Sequence, residues 1–115
     1  MRISSTVIVS HRVVGFHHWS GAPDEVAYLR NLHRHLFLFL VAWPVHHDNR
    51  QIEFHTAQAW IKKLYDEPMH FGASSCEMLA HQLYDGLRNA GHPAPCWIEV
   101  WEDQENGARV EFDPA

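Results

Sequence analysis

Hydrophobic and polar positions alternate along Thr6-Val7-Ile8-Val9-Ser10 and again along Arg12-Val13-Val14-Gly15-Phe16. A period of two is the mark of a half-buried strand. The pattern predicts a strand from Ser5 to His18, bent at Gly15 and ending at the His17-His18 pair. A second run, from Asn31 to Trp43, carries Phe37, Phe39 and Val41 on one face of a strand, with Pro44 as its stop. Its Leu and Ala content makes helix the competing reading. Between the two, Ser20 to Asn31 holds Gly21, Pro23, Asp24 and Glu25 and reads as a loop or short helical turn.

The second half of the chain changes period. Val45 to Arg50 is turn-forming and Gln51-Ile52-Glu53-Phe54 resumes a strand-like pattern, which predicts a hairpin with His46 and His47 at its exposed tip. Thr56 can then open a helix to about Tyr65, with Trp60, Ile61 and Leu64 on one side and Lys62 and Lys63 on the other. After a break at Pro68 and Gly72, Ser74-Ser75-Cys76-Glu77 has the form of a capping box from Ser74 to Glu77. Met78, Leu79, Leu83 and Leu87 follow at helical spacing as core positions, and Gly91 closes the helix. Pro95 to Glu102, a polar turn from Asp103 to Gly107, and Ala108 to Phe112 complete a strand pair. The expected order is ββααββ, an α+β fold.

Composition bounds this picture. The 115 residues suit one domain spanning 1–115, and 46% hydrophobic with 20% charged residues is ordinary for a globular chain. A formal net charge of −5, with no basic run, argues against nucleic acid or an anionic membrane as partner. Met1 to Thr6 lacks the apolar core of a signal peptide, and the apolar run Leu36–Val45 is too short to cross a bilayer, so a cytoplasmic location is the expectation. Cys76 and Cys96 then read as free thiols.

Histidine is the unusual residue. With 11 of them in the chain, a His-x-His pair arises by chance about once, so His33 and His35 mean little alone. On a strand, however, they share one face and form half of a metal site. A catalytic zinc site wants a third imidazole and an open position. His17 or His18 can supply that third ligand, but alternation lets only one of the two face inward. Other divalent ions fit the same donors.

With these motifs on the page, the chain resembles the tunnelling-fold family of 6-pyruvoyl- and 6-carboxy-tetrahydropterin synthases over roughly His17 to Phe112. Phe16-His17-His18 and Leu32-His33-Arg34-His35 resemble the family's zinc-binding strand end and its Leu-His-Gly-His motif, and the family spacing favours His18, His33 and His35 as ligands. Glu53-Phe54 is similar to an Asp-Phe before the first helix. Ser74-Ser75-Cys76-Glu77 is similar to a Pro-Thr-Ser-Glu helix start lining the substrate pocket, which implies Ser75 and Glu77 as substrate-binding residues. Glu102 matches a glutamate that grips the pterin edge, and a carboxylate suits that edge because it accepts two parallel N–H bonds. The resemblance implies a four-stranded antiparallel sheet with two helices on one face, assembling into an oligomeric barrel, a hexamer in the family's manner of closure.

Two departures stand beside these matches. Ala27-Tyr28-Leu29-Arg30 replaces the family's reactive cysteine, and Met69-His70 replaces its Asp-His pair, so His70 is expected as a catalytic residue without its carboxylate. Cys76, in the first turn of a helix, could stand in for the lost thiol if the helix dipole lowered its pKa. The resemblance thus implies a zinc-dependent lyase acting on dihydroneopterin triphosphate or a related pterin or purine. The alternative is a protein of the same fold that binds ring and metal without turnover. A cupin also uses His-x-His, but Leu36 to Val41 lacks the following glutamate and the two mid-chain helices do not suit it.

Overall fold

The computed structural model describes residues 3–113. One five-stranded sheet organises them, in the order β3-β1-β2-β4-β5. Its long members are β1 (Ser5–His17) and β2 (His33–Val45), paired antiparallel over their whole length from Ser5 opposite Val45 to His17 opposite His33. β4 (Trp97–Glu102) pairs antiparallel with the middle of β2, and β5 (Asn106–Glu111) pairs antiparallel with β4. The fifth strand, β3 (Met69–His70), adds to the outer edge of β1 in parallel. Two residues carry no readable periodicity, which is why the sequence predicted four strands.

Odd-numbered residues of β1 and β2 and even-numbered residues of β4 face inward, so Val9, Val13, Phe37, Phe39, Val41, Trp43, Ile98 and Val100 form one buried layer. Helices α1 (Phe54–Lys62) and α2 (Cys76–Asn89) cover it with Ala57, Ile61, Leu79, Ala80, Leu83 and Leu87. Among the described residues, no helix is long and apolar enough to cross a membrane.

Several boundaries differ from the pattern-based ones. Pro44 lies inside β2 rather than ending it. The Ala42 carbonyl accepts from Cys96 N–H on the β4 side, and Pro44, two residues on, faces that same side beyond the last β2–β4 pair, where no N–H is needed. The expected strand at Gln51–Phe54 is instead the entry to α1, whose cap is Glu53: its carboxylate accepts from the backbone N–H groups of His55 and Thr56 at 2.8 and 3.0 Å. The cap of α2 is Ser75 rather than Ser74, with Ser75 Oγ accepting from Met78 N–H. β1 runs unbroken through Gly15. A Cβ there would lie 2.5 Å from the Phe71 ring, so its role is to admit that ring against the sheet. Asp24–Arg30 forms the short helical turn, of 3-10 type.

Candidate metal centre

β1 and β2 run on past the point where the helices stop covering them, and their inward positions change there from apolar to imidazole. His17 and His33 are direct partners across the two strands, and His35 is two residues further along the same face. Their ligand atoms all lie within 4.8 Å of one another. His18 is not part of this group. It lies one residue beyond the end of β1 and lines the same cavity apart from the cluster, while its backbone N–H bonds the Gly72 carbonyl at 2.9 Å. The structure thus groups His17, the inward member of the pair, and not the expected His18, with His33 and His35.

Each imidazole has its Nδ1 committed. His17 Nδ1–H donates to the Ser74 carbonyl at 2.9 Å, His33 Nδ1–H to the Asn31 carbonyl at 2.9 Å, and His35 Nδ1–H to Asp103 Oδ2 at 2.6 Å. With Nδ1 holding the proton, Nε2 carries the free lone pair in all three rings. The Nε2 atoms of His17 and His35 are buried and make no aligned hydrogen bond. Buried nitrogens left unmatched call for a partner, and three neutral imidazole nitrogens converging on one point suit a divalent ion such as zinc. The donor set fits a metal.

Glu102, at the end of β4, reaches the same point. Its Oε2 lies 3.0 Å from His17 Nε2 and 3.7 Å from His35 Nε2, at ion-pair distance though off the ring N–H direction. The contact with His17 holds the Glu102 carboxyl below its usual pKa, burial opposing, and reciprocally raises that of His17. Glu102, His17 and His33 form one wall of a cavity of about 470 Å³, with His35 behind them. Ser75, Cys76 and Glu77 from the start of α2 form another, together with Trp19 and Met78.

Cys76 lies on this cavity, but its thiol is pushed up to about 12 by burial first and by the charges of Glu102 and Glu77 after it. The expected lowering by the helix dipole is outweighed, so the thiol stays neutral near pH 7. Met78, expected in the core, is 54% exposed and lines the cavity mouth. His70 lies elsewhere. It pairs with Phe16 in β3, and its ring stacks on Phe16 at 5.7 Å; Phe16 adjoins His17 on β1 and faces the opposite side of the sheet. Trp19, Asp103 and Asn106, all at or beside the cavity, were not anticipated.

No family profile and no curated protein matches the chain by sequence. Among solved structures, it is similar to Caenorhabditis elegans 6-pyruvoyl tetrahydropterin synthase, with a TM-score of 0.69 and 13% identity, over 96% of this chain and 97% of that one. The two proteins share a fold across essentially their full lengths, as the motifs led one to expect.

Proposed function

We propose that the chain is a metal-dependent enzyme of the 6-pyruvoyl/6-carboxy-tetrahydropterin synthase type, a carbon–oxygen lyase acting on dihydroneopterin triphosphate or a related pterin or purine. The observation that carries this reading is the convergence of His17, His33 and His35, the first two lining the cavity and the third beside them, each with Nδ1 tied back and Nε2 free. A bound zinc would supply Lewis-acid polarisation of a substrate oxygen. The cavity volume falls within the range of about 300–1,000 Å³ common for small-molecule sites.

The chain's own groups divide the remaining work. Glu102, held ionised, accepts two N–H bonds from the ring edge once its side chain turns from His17 toward the cavity. Ser75 and Glu77 at the start of α2 flank the ring, and Trp19 offers it a flat apolar surface. His18, the imidazole of this cavity that stands outside the cluster, is the proton carrier in this reading, in place of His70 on the other sheet face. The protein works as a homo-oligomer, a hexamer on the family precedent. The uncovered sheet face, with Ile8 half-exposed and Val14, Phe16, Leu36, Leu38 and Leu40 only partly buried, is consistent with assembly.

Turnover of dihydroneopterin triphosphate by zinc-loaded protein tests the reading. Native protein forms product, His18→Ala lowers kcat by about 10²–10⁴-fold, and His70→Ala leaves it near native. The neutral Cys76 thiol and the distant His70 favour one other reading, a protein that binds the ring and metal without turnover. Saturable pterin binding in calorimetry with no product would establish it, and absence of both binding and turnover would remove both readings.

A further inference from the structure

Asp103 opens the turn between β4 and β5 with a left-handed backbone, φ 52°. Its own N–H donates to the Leu36 carbonyl at 2.9 Å, and its Oδ1 accepts from the Leu36 N–H at 2.8 Å. Backbone and side chain thus clamp the residue to β2 immediately beside His35. The second oxygen, Oδ2, is left facing His35 Nδ1 at 2.6 Å.

The three imidazoles are not held alike. His17 and His33 give their Nδ1 protons to neutral carbonyls, those of Ser74 and Asn31, whereas His35 gives its proton to a carboxylate. A carboxylate behind an imidazole fixes the tautomer and the ring plane and increases the basicity of the opposite nitrogen. We infer that Asp103 is the positioning residue of the metal centre: it aims His35 Nε2 at the ion and makes it the strongest of the three donors. The inference rests on the metal-binding reading of the cluster and adds to it a residue that touches neither ion nor substrate.

The test is zinc affinity, measured by competition with a chromophoric chelator on the full chain, beside thermal melting of the metal-free protein. Asp103→Asn keeps an acceptor for the Leu36 N–H and tolerates the left-handed backbone, but puts a neutral amide behind His35. Its zinc affinity falls about ten- to a hundredfold. Asp103→Gly relaxes the turn while removing both oxygens, and its affinity falls at least as far. A residue that merely shapes the turn would lower the melting temperature in Asp103→Asn and leave the affinity of Asp103→Gly native. Native-like affinity in either variant overturns the inference while leaving the metal reading intact. Failure of the native protein to take up zinc overturns the two together.

Discussion

One face of β2 serves two purposes along its length. From Phe37 to Trp43 its inward residues are fully buried under α1 and α2, and at its start the same face carries His35 and then His33, which lines a cavity. The alternation of two residues per repeat never breaks. What changes is the cover, and with it the side chains that the position tolerates: apolar rings where no water reaches, imidazoles where a polar ligand can be met. A site built as the continuation of a core strand inherits the rigidity of that core, because the backbone carrying His33 and His35 is paired on one side along its full length.

The two halves should respond differently to truncation. Phe39→Ala, in the covered half, removes a ring with no exposure and should cost about 3–5 kcal/mol of stability, read by chemical denaturation, while leaving the metal affinity of the folded protein unchanged. At the boundary between the halves sits Gly15, opposite His35 in the pairing and under Phe71. Gly15→Ala should cost about 1–3 kcal/mol through overpacking, and should also disturb the cavity end, since the displaced Phe71 packs on Phe37 at 5.1 Å. Equal loss of stability from His33→Ala and Phe39→Ala would contradict the division.

The smallest effect lies far from the cavity. The N–H groups of His55 and Thr56 hold the Glu53 carboxyl below its ordinary 4.5. The folded pKa is thus below the unfolded one, so this cap contributes stability above about pH 4.5 and loses it as pH falls through the folded value. Glu53→Gln should flatten that acid limb slightly, as read from urea midpoints across the range. An unchanged limb would mean that the exposed cap carries no measurable charge effect.

How much of this was legible beforehand follows from the size of each signal. The long strands and α2 were readable because Val9, Val13, Phe37, Phe39, Leu79, Leu83 and Leu87 sit at fixed periods. β3 was not, since the two residues Met69 and His70 are too few to show a period. His33 and His35 were readable as a facing pair. The choice between His17 and His18 was not settled by spacing, which differs by one residue; it is settled by the cross-strand register, in which His17 opposes His33. Pro44 was misread as a stop because a missing N–H matters only where a partner strand needs it. Asp103 could not be foreseen at all, because its function depends on a turn conformation that brings it beside a strand 68 residues earlier in sequence.

The central claim is that the inward histidines, and only those, bind the ion. The most direct measurement is zinc content after dialysis for the native chain, His17→Ala and His18→Ala. The account predicts about one ion per chain in the native protein and in His18→Ala, and loss of the ion in His17→Ala. Zinc lost from His18→Ala and retained by His17→Ala would contradict it.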